Sequence, residues 1–190
     1  MANHFWEWIK HPVLTSTIVP DSKKLSRLII KMADISDADA VVELGPGSGG
    51  FTEMILQSIP KKTKFFALEI NPLFVKHTKK RCPGALVYED DALNLKSYLK
   101  EHGLKHCDCI ISGLPFTVLR DELQEQLLKT IRDALSSGGR FLTYTYVHRM
   151  NSKGNKRLRQ IFEEHFDTLE TSPIVWNNVP PAYVYCARKK

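Results

Sequence analysis

Five short apolar runs recur along the chain, at 39–44, 64–69, 85–88, 107–112 and 140–146. Between them lie stretches of helical character, at 51–59, 72–81, 94–102 and 119–136, the last expected to stop at Gly138-Gly139. Short apolar runs alternating with helices imply a mainly parallel sheet covered on both faces. The pattern changes after residue 146. A helix near 155–165 is followed by two candidate strands, 167–176 and 182–188, with Pro180-Pro181 between them. Two such neighbours are expected to pair antiparallel at the sheet edge. The expected fold is therefore Rossmann-like α/β, with a seven-stranded, mostly parallel sheet, an antiparallel C-terminal edge strand and N-terminal helices. Neither internal repeats nor a low-complexity linker interrupt it. Residues 34–190 are expected to form the main domain, and 1–33 covering and contact helices.

The first strand runs straight into Gly45-Pro46-Gly47-Ser48-Gly49-Gly50, which opens the first helix of the alternation. Glycine is required where backbone adopts positive φ or must approach a ligand closely. A helix start also offers free N–H groups and the positive end of a dipole. The glycines satisfy GxGxxG through Gly45, Gly47 and Gly50, and GxGxG through Gly45, Gly47 and Gly49. The first spacing alone suggests a dinucleotide.

Carboxylates at the strand ends favour a different ligand. Glu43 lies two residues before the first glycine. An acid there repels a pyrophosphate, but it suits the amino group of a methionine moiety, directly or through water. Glu69 ends the second strand, where a carboxylate can take both ribose hydroxyls. Asp91 follows the third strand and can accept from an adenine amino group. Together with Leu44, Pro46, Ser48, Ile70, Ala92 and Ser112 around them, these positions describe a cradle for S-adenosylmethionine.

Net charge is +6, from 27 Lys and Arg against 21 Asp and Glu. That balance favours an anionic partner, a membrane surface or a nucleic acid. Phe5, Trp6, Trp8 and Ile9 beside Lys10 place aromatics and a base where a membrane interface would accept them, at roughly 1.5–3 kcal/mol for each fully buried side chain. Residues 22–33 form an amphipathic helix that Ser22 can cap. Its apolar face, Leu25, Leu28, Ile29 and Met32, is expected to cover the core. Its basic face, Lys23, Lys24, Arg27 and Lys31, is left to meet anionic lipid. A second basic run holds Arg149, Lys153, Lys156, Arg157 and Arg159. Neither a secretory leader nor a membrane-spanning stretch is evident, and Cys82, Cys107, Cys109 and Cys186 have no metal-site spacing. The expectation is a cytoplasmic protein with reduced thiols, no metal, and a peripheral place on the inner membrane.

The chain resembles the bacterial phospholipid N-methyltransferases, a group related to the ribosomal RNA adenine dimethylases. The resemblance rests on 5–9, Pro12, 18–22, 42–49, Asp91-Ala92, Ser112-Gly113-Leu114-Pro115-Phe116, Thr145-Tyr146, Trp176, Asn178 and Pro180-Pro181-Ala182. It implies a class I S-adenosylmethionine-dependent enzyme. The implied reaction methylates phosphatidylethanolamine stepwise to phosphatidylcholine, or methylates a related amine such as that of an ornithine lipid. Ser112 to Phe116 would then line the acceptor pocket at the carboxyl edge of the sheet, Tyr146 would orient the amine, and His148 would relay its proton. Tyr183 and Tyr185 read as packing. The expected form is a monomer.

Three rivals remain. Adenine N6-methyltransferases carry Asn or Asp at the head of the loop that here begins Ser112-Gly113, and their helical extension is not expected to fit in 190 residues. A small-molecule methyltransferase has no use for the aromatic start. A non-catalytic binding module would be expected to have lost Glu43 or Glu69.

Overall fold

The computed structural model describes residues 22–189. The expected membrane contacts at Phe5, Trp6, Trp8, Ile9 and Lys10 lie outside the described residues. Seven strands, β1 (Ala40–Leu44), β2 (Lys64–Glu69), β3 (Val87–Glu89), β4 (Cys107–Ser112), β5 (Leu135–Tyr146), β6 (Thr168–Thr171) and β7 (Ala182–Arg188), form one sheet in the order β3-β2-β1-β4-β5-β7-β6. The first five run parallel. β7 lies antiparallel between β5 and β6, so the two C-terminal strands form the expected antiparallel pair, and β6 makes the outer border.

The described α-helices are α1 (Lys23–Ala33), α2 (Gly50–Ser58), α3 (Pro72–Arg81), α4 (Leu95–Glu101), α5 (Asp121–Ala134) and α6 (Lys153–His165). Because side chains alternate across a strand, the sheet feeds two cores. Val42, Leu44, Phe66, Ile110 and Phe141 pack against α4, α5 and α6. Val41, Ala67, Ile111, Leu142 and Val184 pack against α1, α2 and α3. Every residue of β1 is buried, which explains why its run shows no polar alternation.

Helix α1 follows its sequence reading closely. The Ser22 hydroxyl accepts the Leu25 N–H at 3.2 Å. Leu25, Ile29 and Ala33 are buried on the sheet, while Lys23, Lys24, Arg27 and Lys31 are exposed. The Arg140 guanidinium closes the helix, donating to the Ala33 carbonyl at 2.8 Å and to the Asp34 carboxylate at 2.9 Å.

One boundary departs from the sequence reading. α5 ends at Ala134, before Gly138-Gly139, and β5 begins at once with Leu135. Leu135 is fully buried and pairs with Cys107, while the Ser136 hydroxyl donates to the Cys107 carbonyl at 3.2 Å. Pairing with β4 thus captures residues that local helix propensity would have kept. The register shift between Cys107 and Cys109 absorbs the extra residues, with Gly138 at φ +75°. The candidate strand 167–176 shortens to four residues, and 172–181 becomes a connecting loop.

Candidate active site

The parallel strands β1 to β5 all end on one side of the sheet, where the loops after β1, β2, β3 and β4 converge. The glycine turn is held by a Gly45 N–H to Leu68 carbonyl bond of 2.8 Å and a Gly49 N–H to Pro46 carbonyl bond of 2.9 Å. Gly47 has φ +56°, and a Cβ there would meet no atom within 4 Å. Glycine at 47 therefore serves backbone conformation and leaves the turn approachable. Gly113 is demanded by close approach instead. A Cβ on it would stand 2.5 Å from the Gly45 carbonyl oxygen, so the β4 loop and the glycine turn touch backbone to backbone.

Two acids stand beside the turn. Glu43 is fully buried in β1, and its Oε2 accepts the Thr52 hydroxyl at 2.6 Å. Its Oε1 has no partner among the described residues. Burial raises its pKa to about 8; the Thr52 bond opposes that rise and the charge of Glu69 adds to it. Glu69 is also buried, which raises its pKa, while its Oε1 accepts the Asn71 N–H at 2.9 Å and its Oε2 the Gly47 N–H at 3.1 Å. The second acid thus bridges the β2 end to the middle of the glycine turn.

A shallow pocket opens next to this bridge. Its wall includes Gly45, Ile70, Asp91, Ala92 and Leu114, five of the positions singled out from sequence, together with Asp90. Asp91 is half-buried, and its Oδ1 accepts the Leu93 N–H at 2.9 Å. Asp90 escaped the sequence reading. Burial works to raise its pKa, but bonds from the Asp91 N–H, the Asn94 amide and the Tyr98 hydroxyl outweigh it and hold the carboxyl below its usual range. The tandem of acids at 90 and 91 was the available signal.

The acceptor side differs in detail from expectation. Ser112 is fully buried, donating to the Leu44 carbonyl at 3.3 Å and accepting from the Leu114 N–H at 3.2 Å. Its hydroxyl is spent on shaping the loop, so a direct chemical contact is not what its geometry offers. Phe116 is buried against Phe141, with ring centroids 5.7 Å apart, and so belongs to the core, not to a pocket wall. Leu114 and Pro115 face outward more. Tyr146 is half-buried, edge-on to Tyr144 at 5.7 Å and stacked on the exposed His148 ring at 5.7 Å. Tyr183 and Tyr185 are packed as expected, but their hydroxyls also meet Asn155, whose amide lies 3.2 Å from each. Gln124 was missed as well: buried in α5, its amide donates to the Phe116 and Gly154 carbonyls, at 2.8 and 3.1 Å. It joins the β4 loop to α6.

Residues 41–139, more than half of the chain, match the family model described as a methyltransferase domain. The chain belongs to the methyltransferase domain family. This methyltransferase is similar to the ornithine lipid N-methyltransferase of Singulisphaera acidiphila, 28% identical over 185 residues that cover 96% of this chain and 92% of that one. It is also similar to the ribosomal RNA small subunit methyltransferase A of Francisella tularensis, 29% identical across 76% of this chain but only 56% of the relative. Thus it spans little more than half the length of that ribosomal RNA enzyme. Among solved structures, the N-methyltransferase NodS of Bradyrhizobium japonicum superposes with a TM-score of 0.70 at 13% identity, covering 88% of this chain and 95% of that one. TrmN of Thermus thermophilus gives 0.73 at 14% identity, over 93% and 51%. These neighbours share the fold.

The fold is thus a Rossmann-like class I methyltransferase, and its methyl donor is S-adenosylmethionine. The site fits that donor on its own terms. The open Gly47 turn leaves room for it, and the unpartnered Glu43 Oε1 is an acceptor awaiting a donor. Each Glu69 oxygen takes one N–H and keeps lone pairs for hydroxyls.

Proposed function

We propose that this methyltransferase acts on the amine head group of a membrane lipid, methylating phosphatidylethanolamine stepwise to phosphatidylcholine. The observation that carries this reading is Gly113. Its backbone lies against the Gly45 carbonyl, so no side chain can stand there, and the preceding Ser112 hydroxyl is buried and engaged. The loop therefore presents no amide or carboxylate to hold the amino group of a planar base. An alkyl amine has no such need. Nearly end-to-end similarity to a lipid N-methyltransferase supports the same class, and it favours ornithine lipid as a second candidate substrate.

The donor supplies a methyl group activated on a sulfonium. In this reading Glu69 holds the ribose hydroxyls, Asp91 accepts from the adenine amino group, and Glu43 takes the amino-acid end. Leu44, Pro46, Ser48, Gly49, Ile70 and Ala92 line the same cradle. Most of the catalytic benefit is positioning, worth about 7–11 kcal/mol at best. The half-buried Tyr146 ring offers a π face to the amine, and the adjacent His148 offers a proton acceptor. The aromatic segment 5–9, Lys10 and the basic face of α1 anchor the protein peripherally on the inner leaflet. Among the described residues no helix is long and apolar enough to cross a membrane.

Labelled methyl transfer from S-adenosylmethionine, offered phosphatidylethanolamine vesicles, ornithine lipid vesicles and ribosomal RNA separately, tests the proposal. Label in phosphatidylethanolamine is expected. Label in RNA alone overturns lipid methylation, and label in ornithine lipid alone moves the assignment to the second substrate.

A further inference from the structure

The loop after β6 turns two apolar side chains outward beside the site. Trp176 is 68% exposed and Val179 75% exposed, and Met150, in the turn that follows β5, is 40% exposed. Large apolar groups left in water at this level, clustered and rimmed by polar groups, mark an interaction surface. The loop is built, not loose. Asn178, only 2% exposed, accepts the Ser22 N–H at 2.9 Å and donates its amide to the Pro180 carbonyl at 2.8 Å. Its own N–H reaches the Val175 carbonyl at 3.1 Å, and the Val147 N–H binds the Pro181 carbonyl at 2.8 Å. A buried amide thus holds the tip from inside while the neighbouring side chains face solvent.

Those same bonds fasten the loop to Ser22, the cap of α1, and to the end of β5, immediately after Tyr146. The elements joined by these bonds are basic in sequence. Residues 22–33, 144–162 and 172–182 contain no Asp or Glu and hold nine Lys and Arg, which exceeds the whole chain's net charge of +6. The rest of the chain is therefore net negative. Arg157 and Arg159 turn to carboxylates of Glu125 and Glu163, but Lys23, Lys24, Lys153 and Lys156 stand exposed on the helix starts flanking the loop.

We infer that the 176–179 tip is a membrane-insertion element: Trp176 and Val179 enter the interfacial layer of an anionic bilayer while the surrounding lysines meet its phosphates. This rests on the lipid-methylating reading above and adds the surface by which the site mouth is presented to head groups. Tryptophan suits the head-group layer because one end of its ring system is apolar and the other carries an N–H. Seating this corner on a bilayer places the end of β5, and with it Tyr146, next to the lipid amines.

The full chain carrying Trp6→Phe and Trp8→Phe leaves Trp176 as its sole tryptophan. Mixed with phosphatidylglycerol–phosphatidylethanolamine vesicles bearing brominated acyl chains, it is expected to show a blue-shifted, quenched emission. Trp176→Ala with Val179→Ser is expected to weaken vesicle partition about ten-fold. In that variant, affinity for S-adenosylhomocysteine and turnover of a monomeric short-chain lipid stay unchanged. Trp176→Phe, which keeps an apolar ring, restores most of the partition. If the protein sediments with vesicles and methylates their lipid while Trp176 stays unquenched, the insertion element is overturned and the function stands. If vesicles neither bind nor become labelled, both fall. Quenching of Trp176 by an RNA oligonucleotide, with no response to vesicles, would replace the membrane by nucleic acid.

Discussion

The acid with the most to reveal is Glu43, because its environment opposes its own charge. Its folded pKa of about 8 lies above the value of 4.5 for an unperturbed carboxyl. For such a group the folded state binds its proton more tightly. Its stabilising contribution is fully present below about pH 4.5 and is lost as pH rises towards 8. Glu43→Gln keeps an acceptor for Thr52 and carries no charge. The donor-free variant is therefore expected to melt higher than wild type at pH 9, with the two curves converging near pH 4.5, as calorimetry can check. A wild-type advantage at pH 9 would mean that Glu43 is not a buried carboxylate. Glu69 carries a different expectation. In the proposed site it takes two hydroxyls by charge-assisted bonds of about 1.5–3 kcal/mol each. Glu69→Ala should thus weaken S-adenosylhomocysteine binding by two orders of magnitude or more in titration calorimetry, while the fold survives. Residue placement was partly legible in sequence. Glu43, Glu69 and Asp91 stand out because each is an acid at or just after the end of a strand. Sequence order places Ser112 and Phe116 at the edge of the sheet but cannot say which way their side chains turn. Only the packed structure shows the Ser112 hydroxyl spent on the Leu44 carbonyl and the Phe116 ring against Phe141.

Elements succeed or fail here by how they meet their neighbours. The β1 turn and the β4 loop touch at Gly45 and Gly113, and Gly113→Ala inserts a methyl where a carbonyl already stands. Overpacking of this kind costs about 1–3 kcal/mol. The variant is expected to lose several degrees in Tm and most methyl transfer, since relief requires the two site loops to part. An unchanged Tm would show that the loops are not in contact. At the N terminus, removal of residues 1–10 is expected to reduce binding to anionic vesicles while leaving S-adenosylhomocysteine affinity intact, because α1 and the glycine turn lie beyond the cut. Loss of both would make that segment part of the cofactor site. The element pattern itself was readable to within a few residues wherever periodicity was strong, as in α1, β2 and β7. It failed at the α5–β5 junction, because no local signal tells Leu135 that Cys107 waits for it across the sheet.

For the molecule as a whole, the charge asymmetry predicts a salt-sensitive encounter with lipid. Exposed charges are screened over about 10 Å at 0.1 M ionic strength. Partition onto anionic vesicles is therefore expected to fall steeply with added salt, and partition onto zwitterionic ones to change little. Equal salt dependence on both would refute an electrostatic contribution. The parallel sheet, its two helical layers and its glycine turn could be anticipated because each follows from local patterns repeated along the chain. The place of β7 between β5 and β6 could not, since strand order is settled by which apolar edges meet in space. That place has a consequence for biogenesis. β7 follows every other strand in the sequence yet fills the gap between β5 and β6, contributing buried Ala182, Val184 and Tyr185 to both layers. A nascent chain on the ribosome must therefore hold an open β5 edge and an unattached β6 until residues 182–188 emerge, which makes that interval one of exposure to chaperones and to aggregation.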